Sequence, residues 1–187
     1  MRYPKTTCRA TTLVGKFEKV SFDNFKECIL DFIAENKDYE DLNDDEAIQR
    51  IYDDIQLPVR ATKGSAGYDL RTPVYIKLLP GQTIKIPTGI RVKMNEDWVL
   101  MVFPRSGLGF KYRLQLDNTV GVIDSDYYYS DNEGHIFAKL TNDTNKAKEV
   151  ELNAGDAFAQ CIFMPYGITE DDDVTATRNG GFGSTGR

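Results

Sequence analysis

Beyond Leu57 the sequence breaks into short runs of β-forming residues punctuated by Gly, Pro and Asn, and this punctuation restricts the fold more than any other feature. Examples are Val74–Leu78, Thr83–Ile86, Gly89–Val92, Trp98–Phe103, Thr119–Ile123, Ile136–Leu140 and Phe158–Phe163. Turn signals such as Pro80-Gly81 and Asn153-Ala154-Gly155 separate them. Many short strands without intervening helices imply an all-β sandwich or barrel-like fold. A chain of 187 residues can form one sizeable core, with at most a small appended segment.

Residues 16–57 follow a different rule. Thirteen Asp and Glu stand there against five Lys and Arg, a local net of −8 in a chain whose net charge is −6. Phe22, Phe25, Ile29, Phe32 and Ile33 recur at helical spacing behind Ser21, a residue suited to an N-cap. Asn43 followed by Asp44, Asp45 and Glu46 suits a second helix start, where acids meet the positive end of the helix dipole. Ala47, Ile48, Ile51 and Ile55 then give that helix an apolar stripe. Two amphipathic helices are predicted, packed on the β core or on a neighbouring subunit with their acids in water. A protein-binding role for the segment is the competing reading.

The net negative charge argues against non-specific binding to a nucleic-acid backbone, whereas a nucleotide needs only a few local cations and a metal. No apolar run approaches the roughly 18 residues of a membrane-spanning helix, and the N-terminus lacks the apolar centre of a signal peptide. Three scattered cysteines, Cys8, Cys28 and Cys161, never form a CxxC pair. They point to a reducing, cytoplasmic setting and to neither zinc nor a disulfide framework. The single histidine, His135, belongs to no HExxH or Ser/His/Asp arrangement, so any general base is expected to be a carboxylate.

Five segments carry candidate chemistry. In Ser65-Ala66-Gly67-Tyr68-Asp69-Leu70 a carboxylate stands where a loop becomes a strand, although such turns are common without any function. In Pro104-Arg105-Ser106-Gly107-Leu108-Gly109 the guanidinium fork, the hydroxyl and the glycines suit an anion, while a β-turn with a surface arginine has the same composition. Gly121-Val122-Ile123-Asp124-Ser125-Asp126-Tyr127 ends a buried-looking strand, and period-two alternation sends Asp124 and Asp126 to one face. A carboxylate there can serve as general base to a bound water, or simply be a solvated strand end. Gly155-Asp156-Ala157-Phe158-Ala159-Gln160 sets Gln160 in an apolar run, as a buried hydrogen-bonded group or a ligand contact. Finally, Arg178-Asn179-Gly180-Gly181-Phe182-Gly183-Ser184-Thr185-Gly186 combines an arginine, an isolated aromatic and two hydroxyls among glycines. A lid that orders on a planar base and a phosphate chain needs that combination, and residues 174–187 are expected to form one.

In this order the five segments resemble the five motifs of the trimeric dUTPase family, over about residues 58–187. The resemblance implies a single domain with a jelly-roll or β-clip subunit, carrying 16–57 as a helical insertion. It further implies a homotrimer whose active sites draw on more than one chain, and hydrolysis of dUTP to dUMP and pyrophosphate with Mg²⁺. That reaction limits uracil in DNA and supplies dUMP for thymidylate synthesis. Matched position by position, Asp124 is the general base that activates water. Tyr127 lies beneath the deoxyribose, where it crowds out a 2′-hydroxyl. Asn118, with Gly121, belongs to the hairpin whose backbone reads the uracil edge. Arg105, Ser106, Gly107 and Gln160 match phosphate-binding positions, and Asp69 the acid near the metal-bound waters. Arg178, Phe182, Gly183, Ser184 and Thr185 match the lid, with Phe182 stacked on the base.

Three departures stand out. Residues 16–57 have no counterpart in the short form of the family. Tyr128–Glu133 lengthen the stretch before Gly134-His135, and Arg178 stands one position closer to Phe182 than in many members. Two other readings compete. A dCTP deaminase of the same superfamily would need a differently placed glutamate, and the full lid with its Phe argues against it. A regulatory protein on a dUTPase scaffold draws its support from the acidic insertion.

Overall fold

The computed structural model describes residues 12–178. Among them the strands are β1 (Gly15–Lys19), β2 (Val59–Arg60), β3 (Tyr68–Arg71), β4 (Ile76–Leu78), β5 (Thr83–Pro87), β6 (Ile90–Met94), β7 (Trp98–Pro104), β8 (Leu114–Leu116), β9 (Gly121–Ile123), β10 (Phe137–Asn142), β11 (Val150–Leu152) and β12 (Ala157–Pro165). All pairings are antiparallel. The largest sheet runs β2-β3-β12-β7-β9, and smaller ones pair β5-β10-β8, β1-β6 and β11-β4. Alternation along each strand decides its buried face: Ile76 and Leu78, Ile84 and Ile86, Ile90 and Val92 turn inward. β1 was not foreseen, because its sequence lies in the acidic segment, where helical periodicity dominates the pattern; it pairs with β6, Phe17 opposite Val92.

The two predicted helices form. α1 (Phe22–Glu35) starts at Ser21, whose hydroxyl accepts from the Asn24 N–H at 3.2 Å. α2 (Asp45–Asp54) is capped by Asp44, which accepts from Ala47 N–H at 2.8 Å, one residue later than the Asn43 start expected. At its other end Lys19 of β1 donates to the carbonyls of Tyr52 and Asp53 at 2.7 and 2.9 Å, satisfying last-turn oxygens with a cation. The buried faces, Phe25, Ile29, Phe32, Ile33 and Ile48, join Ile84, Ile86 and Ile90 of the β strands in one continuous core. The helices therefore share the β core and are not a separate module. Their junction is close: Gly89 has φ +70°, and a Cβ there would stand 2.4 Å from Ile55 Cδ1 and 3.2 Å from Phe25 Cδ2.

This continuity makes a measurable prediction. Ile48 is fully buried, so Ile48→Ala should lower stability by about 2–5 kcal/mol. Helical circular dichroism and the fluorescence of Trp98 should still report one shared denaturant transition. A helical transition that precedes the tryptophan transition would show that 16–57 folds as its own unit.

Candidate active site

The turn from β8 to β9 shapes one wall of a cavity. Thr119 takes φ 62°, its N–H donates to Leu116 O at 2.8 Å, and the Val120 N–H donates to Asn118 O at 2.7 Å. Gly121 lies opposite Val102 of β7, where a Cβ would come within 3.1 Å of Val102 Cβ. A side chain there would press on Val102, which would have to give by a few tenths of an ångström. Beside this turn lies a cavity of about 440 Å³, walled by Asn118, Gly121–Asp124, Tyr127, Phe137–Lys139, Lys85 and Arg178.

Asp124 and Asp126 do face the same way, although not as residues of a continuing strand. β9 stops at Ile123, and Ser125–Tyr129 wind into a 3₁₀ turn with Asp124 at its N-cap. Arg178 bridges both acids, its Nη2 donating to Asp124 Oδ2 and its Nε to Asp126 Oδ1 at 2.9 Å. The arginine side chain is only 17% exposed, while the two carboxylates are about half exposed. Its guanidinium carbon lies 5.8 Å from the centroid of the Tyr127 ring. Burial raises the Tyr127 phenol above its ordinary pKa against the opposing pull of a bond from Asn132.

A second group gathers at another end of the large sheet. On β12, Gln160 is paired with Asp69 of β3 on one side and with Phe103 of β7 on the other. Arg105, just past β7, puts its Nε 3.5 Å from Asp69 Oδ1 and donates from Nη1 to Ala157 O at 3.1 Å. Gln160 Nε2 reaches Pro104 O at 3.4 Å, and a Cβ on Gly67 would strike Gln160 Oε1 at 2.7 Å. The segment read either as an anion-binding stretch or as a β-turn leads into α3 (Ser106–Tyr112), with Arg105 as its N-cap residue and open space above Gly107.

The predicted residues are thus brought together in two groups. Asn118, Gly121, Asp124, Tyr127 and Arg178 line the cavity; Asp69, Arg105, Ser106 and Gln160 do not. β12 and β7 stand between β3 and β9, a distance of about 14 Å at ordinary strand spacing. Asp69 is also level with Phe103, whereas Ile123 is opposite Leu100, so about 10 Å along the strands is added. Within one chain Asp69 and Asp124 cannot touch the same phosphate group. Phe182, Gly183, Ser184 and Thr185 lie outside the described residues, as does Cys8. Sequence reasoning missed the walls supplied by Lys85, Phe137 and Lys139, which sit on exposed-looking positions of β5 and β10. Only the fold brings those strands beside β9.

The dUTPase family profile matches residues 53–186. The dUTP nucleotidohydrolase of Lactococcus lactis is 42% identical over 135 residues, covering 71% of this chain and 89% of its own. That of Actinobacillus pleuropneumoniae is 40% identical over 146 residues, covering 74% and 92%. The chain belongs to the dUTPase family. The crystal structure of the Streptococcus mutans dUTPase superposes with a TM-score of 0.55 at 42% identity, over 61% of this chain and 88% of that one. The dUTPase of phage phi11 of S. aureus, described with a structural Mg(II) ion in a mutant form, shares the fold at 23% identity and a TM-score of 0.52, over 65% and 90%. The all-β, jelly-roll-like architecture is therefore that of dUTPases. The family match begins within α2, so β1 and α1 precede it. No helix among the described residues is long and apolar enough to cross a membrane.

Behind the cavity of this dUTPase fold, His135 is fully buried between Phe25 and Phe137. Burial holds its imidazole well below the usual value, at about 4. As pH falls, the unfolded chain binds the proton first, near 6.5, and the native state resists it until about 4. The contribution is therefore complete above about 6.5 and lost as pH falls toward 4, a difference of up to about 3 kcal/mol. Denaturation at pH 4.5 and 7 should show a smaller pH loss in His135→Gln than in the wild type. Equal losses would mean that His135 does not titrate on unfolding.

Proposed function

We propose that the chain hydrolyses dUTP to dUMP and pyrophosphate at sites built from both groups, with Asn118, Asp124 and Tyr127 from one subunit and Asp69, Arg105, Ser106 and Gln160 from another of a homotrimer. The observation that carries the reading is the cavity in which the carboxylate of Asp124, the ring of Tyr127 and the Asn118 turn meet, within a chain of the dUTPase family. The separation of the two groups on one chain supports a shared site. So does the exposure of Phe110 beside Ser106 and of Val122 beside Asp124, apolar side chains that an isolated subunit leaves in water.

Asp124 accepts a proton from water as the water oxygen bonds to the α-phosphorus. The bond from that phosphorus to the bridging oxygen breaks, and pyrophosphate leaves with the electron pair. Tyr127, pinned at its phenol, forms the wall under the sugar, and the main chain around Asn118 faces the base. Arg105, Ser106, Gly107 and Gln160 receive phosphate oxygens. Arg178, with Phe182, Gly183, Ser184 and Thr185 beyond it, closes the site, its guanidinium exchanging Asp124 and Asp126 for the more highly charged phosphates.

The donor set suits Mg²⁺. Asp69 is a single, mostly buried carboxylate beside the phosphate-binding Arg105, and a small hard cation is commonly held by one or two carboxylates together with substrate phosphates and water. Asp69 would contact it through water, and the ion supplies charge neutralisation on the phosphate oxygens.

Pyrophosphate release from dUTP, dCTP, dTTP and UTP, with Mg²⁺ and with EDTA, tests the reaction. Release should be fast from dUTP alone, require Mg²⁺, and drop by about 10²–10⁴-fold in Asp124→Asn while dUTP still binds. An Asp124→Asn rate equal to the wild type would remove Asp124 from the mechanism, and no release from dUTP would overturn the enzyme reading. Sharing is tested by refolding Asp124→Asn together with Arg105→Ala. A site needing one intact group from each of two chains should recover about a quarter of wild-type activity in a random equal mixture. No recovery would argue that each chain builds its own site.

A further inference from the structure

α1, which lies before the family match, and the 128–133 stretch within it meet at the N-terminus of that helix. The Ser21 backbone N–H donates to Glu133 Oε2 at 2.8 Å and its hydroxyl to Oε1 at 2.5 Å. One turn on, Asn24 Oδ1 lies 2.9 Å from Nδ1 of His135. Between these contacts Glu133 and Gly134 are successive left-handed residues, at φ 59° and 70°. A non-glycine residue holds that conformation only where its surroundings fix it. A Cβ on Gly134 would stand 2.7 Å from Tyr128 Cα and 2.8 Å from Tyr127 O, so the turn rests directly on the backbone of Tyr127.

His135 transmits the contact. The Gly89 N–H can only donate, so at 2.8 Å Nε2 is a bare acceptor. Nδ1 therefore carries the hydrogen and donates it to Asn24. With both ring nitrogens engaged and the ring fully buried, the residue is fixed at its side chain. Its carbonyl accepts the Tyr127 phenol at 2.7 Å, and Asn132 Nδ2 donates to the same phenolic oxygen at 2.8 Å.

We infer that Asn24 and His135 are positioning residues for Tyr127, so that α1 sets how strictly the site rejects a ribonucleotide. The inference rests on the proposed dUTPase reading, in which Tyr127 lies under the deoxyribose. A wall that excludes one hydroxyl works only while its ring is held to a fraction of an ångström. The tether from Asn24 through His135 supplies that constraint from outside the family's own segment.

The test is the ratio of kcat/KM for dUTP to that for UTP, measured with Mg²⁺ on the full chain as wild type, Asn24→Ala, Asn24→Asp, Tyr127→Phe and the Asn24→Ala/Tyr127→Phe double variant. Alanine is a good helix former and Ser21 keeps the cap, so Asn24→Ala retains α1. Its ratio should fall about tenfold, through a higher KM for dUTP and a faster reaction with UTP, in a chain that still folds but melts at a lower temperature because the buried His135 N–H loses its acceptor. Asn24→Asp keeps the acceptor and should restore the ratio. The double variant should be no worse than Tyr127→Phe alone, since both changes release one tether. Should Asn24→Ala fail to fold, Asn24→Gln, which shifts the acceptor by one methylene, carries the same expectation. A wild-type ratio in Asn24→Ala, or equal slowing with both substrates, overturns the inference while leaving the dUTPase reading intact. A wild-type chain that does not turn over dUTP removes both.

Discussion

Seven consecutive pairs join β7 to β12, from Pro104 opposite Ala159 to Trp98 opposite Pro165, and the rest of the site depends on that register. Ala159 and Cys161 point into the core, Cys161 so completely that burial pushes its thiol up to about 12. Gln160, between them, is thereby turned outward toward Arg105 and Asp69. A slip of one residue would bury the glutamine and expel the cysteine, which the packed face opposes strongly. The same strand β7 carries Val102 against Gly121 on its other edge. One ladder thus fixes a phosphate-suited group at one edge and the cavity at the other, at a set distance.

The second constraint is the face that α1 and α2 cover. Ile84, Ile86 and Ile90 are buried against helices that lie largely before the family match, so the strands present an apolar surface that the helices complete. Lys19, reaching from β1 to the last carbonyls of α2, joins an edge strand to that cover. The acids of the segment are mostly on its outer face, where charge costs little to hydrate. Acidity and packing are thus the two sides of the same helices, and the acidity alone says nothing of a partner.

Much of this was legible in the sequence, for identifiable reasons. Phe25, Ile29, Phe32 and Ile33 follow a strict helical period, and Ser21 has the chemistry of a cap, so the start of α1 was readable to the residue. The strands β4 to β7, with β9, β10 and β12, were readable because turn residues bound them, whereas β2, β8 and β11, of two or three residues, carry too little pattern. β1 was hidden by the composition around it, and α3 by two glycines in its seven residues, which local propensity assigns to a loop. Asp124 and Asp126 were placed on one side by assuming an extended strand; a 3₁₀ turn brings them together instead, under Arg178. Left-handed Thr119 and Glu133, which shape the turn from β8 to β9 and the turn beside Tyr127, carry no sequence signal, because such conformations are imposed by neighbours distant in the chain.

Each carboxylate of the proposed site has its own arginine: Asp69 has Arg105, and Asp124 with Asp126 has Arg178. Within each set the arginine is also the proposed partner of substrate phosphate. In each set one side is about half exposed (Arg105, or Asp124 and Asp126) while Asp69 and Arg178 are mostly buried, so water screens the pairs in part. They are therefore easily exchanged for a triphosphate, whose charge is greater and whose oxygens accept bidentate donation. The exchange leaves no guanidinium without an anion, and it frees the oxygen of Asp124 that Arg178 holds. In the proposed mechanism, arrival of the substrate and release of that Asp124 oxygen are then one event.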